Sequence, residues 1–197
     1  MPTPSPQQEV WLFKHRIWNL FEDGASEEEV RDTVISEGRK PPIVEIFLQQ
    51  HYEAERECVH DVRSRNRILR SVKAAIDEGD PDQIVEAMDP ACDDDRTLYK
   101  VFVLLSNLLY AERPTCRWAA FGLSKMVGFG DLALMNALQH EDEPNRFYAA
   151  FSLGTMGADG RGAIDDLKQS TRDSSEKVRQ IAKKALSQIR RALSEES

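Results

Sequence analysis

The side chains best suited to chemistry fall into a few short groups. His51, Cys58 and His60 are the closest set of soft metal ligands. On a helix, residues seven apart share a face and residues two apart do not, so His51 and Cys58 align while His60 turns away. The acid-rich stretch Asp89 to Arg96 has charge enough for calcium. It lacks the central glycine and terminal glutamate of a calcium loop, and its acids suit the start of a helix opening near Arg96. No GxSxG elbow, P-loop or dinucleotide fingerprint is present, and Gly128-Phe129-Gly130 reads as a turn. These residues therefore define no catalytic set, no metal site and no cofactor.

Phosphate recognition is the other chemistry to weigh. Arg63, Arg65, Arg67, Arg70 and Lys73 form the one concentrated basic run, but Glu53, Glu55, Glu57 and Asp61 lie close by in the chain. That mixture predicts a solvated, salt-bridged helix face. The residues from Leu20 to Tyr52 have the cadence of a helix-turn-helix, with Gly24-Ala25-Ser26 leading in. Its would-be recognition helix, Pro42 to Gln50, carries Glu45 and no base, a poor fit to phosphate. A net charge of −8, from 26 basic and 34 acidic residues, opposes sequence-independent nucleic-acid binding. DNA-binding regulation through residues 20–52 is the weaker alternative.

What positions side chains here must be a packed, helical protein. The 197 residues are 41% hydrophobic and 30% charged, as in soluble globular domains. No apolar run reaches the roughly 18 residues of a membrane span. Met1 to Gln8 lacks the basic and apolar regions of a signal peptide, so the expected location is cytoplasmic, without membrane attachment. Cys58, Cys92 and Cys116 are an odd number without CxxC spacing, which predicts reduced thiols.

The C-terminal half repeats itself. Ala119-Ala120-Phe121-Gly122-Leu123-Ser124-Lys125-Met126 returns thirty residues later as Ala149-Ala150-Phe151-Ser152-Leu153-Gly154-Thr155-Met156, and Pro114 and Pro144 keep that offset. A third copy, Ile181-Ala182-Lys183-Lys184-Ala185-Leu186, follows after thirty-three. Leu104, Leu134 and Ile164 align at thirty, which places the three extra residues in the turn around Gln169 to Ser175. Each unit reads as a first helix, a turn, a second helix and a connection bearing glycines, among them Gly128, Gly130, Gly157, Gly160 and Gly162. Asp173 with Glu176 has the spacing of a reciprocal N-cap.

The N-terminal half is helical but not repetitive. Val10, Phe13, Ile17 and Phe21 recur at helical spacing, with Trp11 and Trp18 on an adjoining face. Ser26-Glu27-Glu28-Glu29 is a capping box opening a helix through Val30, Val34 and Ile35 to Gly38. Pro41-Pro42 restarts the chain, a helical run of one helix or two spans 43–77, and Ile84, Val85 and Met88 make a short helix ending near Asp89-Pro90. The organisation expected is a flexible tail at 1–8, a helical cap with a degenerate first repeat at 9–90, and repeats at 91–194.

Residues 95–194 resemble the short HEAT-like repeats of the phycobilisome-lyase type, whose second helices open with Val-Arg, as Val178-Arg179 does. In the other copies Cys116-Arg117 and Asn145-Arg146 stand there, and Asp173 lies six residues before Arg179, like the family's Asp-Arg ladder. The resemblance implies an all-α solenoid of helix pairs. Among enzymes of similar architecture, deoxyhypusine hydroxylases bind iron through repeated His-Glu pairs. Here His140-Glu141 is a single pair in a turn, with Trp118-Ala119 and Tyr148-Ala149 at the helix openings. Alkylpurine glycosylases need a cationic cleft, and no residue marks a bilin attachment site; a lyase or glycosylase on this scaffold is the enzymatic alternative.

With Leu123 at the centre of the buried stripe, Cys116, Ala119, Ala120, Met126 and Val127 flank it, and Trp118, Phe121 and Lys125 point away. Their counterparts are Tyr148, Phe151 and Thr155, then Ile181, Lys184 and Gln188. Such an aromatic ladder is covered either by neighbouring helices and the cap or by a protein or peptide partner. The function expected is a non-catalytic adaptor, with the ladder as its contact surface, rimmed by Arg117, Arg146 and Arg179. The partner's identity and the oligomeric state have no signature in the sequence.

Overall fold

The computed structural model describes residues 5–57, 62–92 and 95–195, with side chains for all of these except Glu22, 51–57 and 62–64. Among them the chain is all-helical, with eleven α-helices and no strand. No helix is long and apolar enough to cross a membrane. The chain divides into two compact units, Pro4–Arg65 and the residues from Asn66 onward.

The first unit holds α1 (Pro6–Glu22), α2 (Glu27–Ser36) and α3 (Pro41–Glu57). Pro6 to Gln8, expected to be tail, form the first turn of α1 instead. Ser5 accepts the Gln8 N–H and the Gln8 side chain returns to the Ser5 N–H, satisfying donors that the helix start would leave open. Ser26 and Glu29 make the same reciprocal bonds at α2. After α2 the chain reverses at Gly38 with φ of 93°, a value that penalises any Cβ. Phe13, Ile17, Val30, Val34, Val44 and Leu48 make the core of the unit. Val10, by contrast, is exposed. Arg31 joins α2 to α3 through Glu45 at 2.7 Å and also holds Glu27.

The second unit holds α4 (Val62–Glu78), α5 (Pro81–Met88), α6 (Asp95–Leu108), α7 (Thr115–Ser124), α8 (Gly130–Ala137), α9 (Glu143–Thr155), α10 (Ile164–Ser170) and α11 (Glu176–Glu195), with α4 entering from the boundary at its first turn. The apolar run after Pro41 thus yields α3 and α4, with residues 58–61 between them outside the described set. From α6 on the helices pack in pairs: α6 on α7, α8 on α9, α10 on α11. The second members also meet one another, with α9 touching both α7 and α11. Leu123 and Leu153 are fully buried and Leu186 nearly so. Burying each such side chain stabilises the fold by roughly 1.5–3 kcal/mol.

Glycine sets how closely these elements approach. A Cβ on Gly154 would lie 2.8 Å from the Ala185 Cα, so α9 and α11 touch almost backbone to backbone there. Gly130 sits on the carbonyl of Leu123, and a Cβ on Gly160 would fall 2.7 Å from the carbonyl oxygen of Leu153. The same seat thus recurs thirty residues on.

The structure relocates the insertion. Five residues, 125–129, link α7 to α8, while eight, 156–163, link α9 to α10; the turns 138–142 and 171–175 are equal in length. The extra residues are wound into the 3-10 segment Gly157–Ala163, not into the turn around Gln169 to Ser175. Consequently Leu134 corresponds to Leu167, both fully buried, whereas Ile164 is only half-buried; in α6 the buried place belongs to Leu105, not Leu104. Pro144 lies in the first turn of α9, but Pro114 stands just ahead of α7, after a cis Arg113–Pro114 bond.

Candidate functional site

The second helices α7, α9 and α11 carry every residue expected at a contact surface except Lys125, which follows the last residue of α7. Trp118 is half-buried because its indole closes over Gly79, the residue that ends α4 with φ of 75°. Phe121 lies edge-on to Trp118 with ring centroids 6.3 Å apart. Tyr148 is half-buried beside Phe147, and Phe151 is 43% exposed. Two expectations fail here. Ile181, aligned with Trp118 and Tyr148, is buried, while Val127, placed in the buried stripe, is 60% exposed because α7 has already ended.

Cations cover three of the rings. The Arg117 guanidinium lies 4.4 Å from the Trp118 ring, Lys125 Nζ 5.0 Å from Phe121, and Arg113 5.1 Å from Tyr148. None of the three forms an ion pair with a carboxylate among the described residues. Arg113 is a member of this set that spacing arguments miss, since it precedes the helix and comes from a different copy than the ring it covers.

Arg146 and Arg179 are placed differently from Arg117. Arg146 donates to Asp173 through Nε at 2.8 Å and Nη2 at 3.1 Å, and through Nη1 to the carbonyls of His140 and Glu141. Its side chain is 12% exposed and that of Asp173 10%. Arg179 repeats the inner half of this arrangement, donating to the carbonyls of Asp173 and Ser174 and pairing with Glu176. These two arginines tie down turns. The helix register explains the split: aligning Ala119 with Ala149 and Ala182 puts Cys116, not Arg117, at the place of Arg146 and Arg179. Cys116 is accordingly buried and Arg117 exposed. Burial raises the Cys116 thiol, against the opposing charge of Arg113.

Asp173 is consumed by this bridge and by the Ser175 N–H at 2.7 Å, so it does not form the N-cap expected with Glu176. Burial works to raise its pKa, but the Arg146 hydrogen bonds, the Ser175 N–H and the guanidinium charge outweigh it and hold the carboxyl below its ordinary range. Arg146 is raised in turn, chiefly by its bond to Asp173. Beside them Ser175 and Lys177 donate to Glu143 and lower it.

One copy earlier, His140 holds the position of Asp173. Its Nδ1 accepts the Asp142 N–H at 3.1 Å, the bond Asp173 makes to Ser175, and its ring lies 5.0 Å from that of Tyr110, the same position one copy further back. His140-Glu141 is thus a turn element. Among the described residues no group of three His, Cys, Asp or Glu side chains is placed to hold a metal. Cys58 and His60 lie outside those residues, as do the side chain of His51 and the acids Asp93 and Asp94.

In the basic run of α4, Lys73 pairs with Asp77 and Arg70 donates to the Asn66 carbonyl; the side chains of Arg63, Glu53, Glu55 and Glu57, and all of Asp61, are outside the described set. In α3, Glu45 is held by Arg31 and lowered by that hydrogen bond. A buried histidine escaped the spacing analysis altogether. His15 lies edge-on between Trp11 and Trp18, at 4.6 and 4.7 Å, on one stripe of α1. Its i, i+4, i+7 spacing was the available signal.

Comparison with protein-family models, curated proteins and solved structures returned no match.

Proposed function

We propose that the chain is an adaptor built on a short α-solenoid of HEAT-like helix pairs, binding a protein partner along the row α7, α9, α11. The pairing of the helices, the recurring glycine seats and the Arg146–Asp173 bridge at the place of the HEAT-like ladder support the architecture. The observation that carries the function is Phe151. It stands 43% exposed at the middle helix of the row, next in register to the half-buried Phe121; Val85, Tyr110 and Val127 of the same unit are exposed as well, but among the described residues Phe151 is the large apolar side chain so exposed within α7, α9 or α11. Exposed aromatic area on a rigid helix face is the material of binding hot spots. Of the arginines expected at the rim, Arg117 is available, while Arg146 and Arg179 serve the turns.

Phe151→Ala tests this reading. Being half in solvent, the substitution is expected to shift the melting temperature by no more than about 4 °C, roughly 1 kcal/mol or less for a unit of this size. It is expected to abolish recovery of proteins that the unaltered chain captures reproducibly from its own cell extract. Unfolding on loss of Phe151, or unchanged recovery by the folded variant, would refute the assignment.

A further inference from the structure

The second helices carry an excess of base that the chain as a whole does not, an excess they share with α4. The chain as a whole carries 34 acids against 26 bases. Yet α7, α9 and α11 together hold eight bases and three acids, Glu143, Glu176 and Glu195, all in terminal turns. Glu143 and Glu176 are already engaged, by Ser175 and Lys177 and by Arg179. Arg113, Arg117 and Lys125 rest on aromatic rings rather than on carboxylates. A fourth cation, Lys184, is exposed at the register position of Phe121 and Phe151.

Resting on the adaptor reading above, we infer that this face recognises an acidic, amphipathic helical segment of a partner protein. Carboxylates on such a segment take up the cations that lack a counter-charge. The guanidinium and ammonium groups then swing from the rings and leave aromatic faces open to apolar side chains. A helix is favoured by the spacing of the second helices, which offer side chains and no sheet edge for backbone pairing. Packed helices lie about 8–10 Å apart, and two turns of a helix advance about 10.5 Å, so apolar anchors seven residues apart fall on successive second helices. A segment of about 15 residues, with anchors at its first, eighth and fifteenth positions, meets all three. A nucleic acid is disfavoured, because its affinity grows with the number of phosphates neutralised and the chain as a whole carries a net charge of −8.

The test is selection of a displayed library of random segments of about 18 residues against the full chain, followed by measurement of the winning peptides. The result expected is enrichment of segments rich in Asp and Glu with apolar residues seven apart. Their affinity should fall at least tenfold for the folded variant R117E/K125E and on raising salt from about 50 to about 300 mM, but stay unchanged for K168E, a basic residue of α10. Neutral or basic winners that are still lost on Phe151→Glu would overturn the acidic partner and leave the second-helix surface standing. Winners indifferent to both Phe151→Glu and R117E/K125E would overturn the surface itself. Two controls can also overturn the inference: a single-stranded oligonucleotide of equal charge that displaces the peptide, or a doubled sedimenting mass that Phe151→Glu abolishes, which would make a second copy the occupant.

Discussion

Two neighbouring turn layers of this protein solve one problem in different ways. Between α9 and α11, a guanidinium at 146 spans to a carboxylate at 173 and caps two carbonyls on the way. Between α7 and α9, the corresponding places hold Cys116 and His140, and the layer closes by burying a thiol and setting the His140 ring against Tyr110. An ionic bridge is demanding, because a charge left alone in a partly buried place is costly, whereas a thiol and two rings leave nothing to neutralise. The close backbone approach follows the same division: Gly154 lets α9 meet α11, while its counterpart Ser124 keeps a side chain, turned onto the Phe121 carbonyl.

The contrast can be broken most severely at Arg146. Arg146→Ala leaves Asp173 without its counter-charge and two carbonyls without their donor, and is expected to lower stability by about 3 kcal/mol in urea unfolding. Cys116→Ala, at the matching place, should cost distinctly less.

A smaller effect is expected at the glycine. Gly154→Ala forces a methyl group against Ala185, with a loss of about 2 kcal/mol. Ser124→Gly, which makes the other layer resemble this one, should lose only about 1 kcal/mol, from backbone entropy.

Acid offers the mildest probe. Asp173 and Glu143 both have pKa values lowered in the folded chain, so the stabilisation they bring is complete above the usual carboxylate range near 4 and fades as pH falls through their folded values. Urea midpoints measured from pH 5 downward should fall more steeply for the unaltered chain than for Asp173→Asn. Parallel slopes would show that the bridge does not sense pH.

Much of the fold is legible in the residue pattern, and the reasons are local. Helix starts at Ser26 and Pro41 and the repeat of Ala-Ala-Phe each depend on neighbours within a turn or two. What is hidden depends on partners far along the chain. Nothing around Arg117 marks it as a surface residue and Arg146 as a tether; that difference comes from a one-residue shift in register between Cys116-Arg117 and Asn145-Arg146, seen once the alanines are superposed. The insertion escaped for a related reason, since apolar spacing alone allows Ile164 or Leu167 to match Leu134, and only packing chooses. The aromatic ladder is legible as a row but not in its exposure, because Gly79, which covers Trp118, lies 39 residues away.

The seats of Gly130 and Gly160 carry an evolutionary consequence. At each, the bend into the next helix depends on an atom that is not there, and every codon change away from glycine supplies at least a carbon. Drift at these two sites has no gentle intermediate, so a lineage keeping this bend must hold both residues fixed while the surface around them wanders.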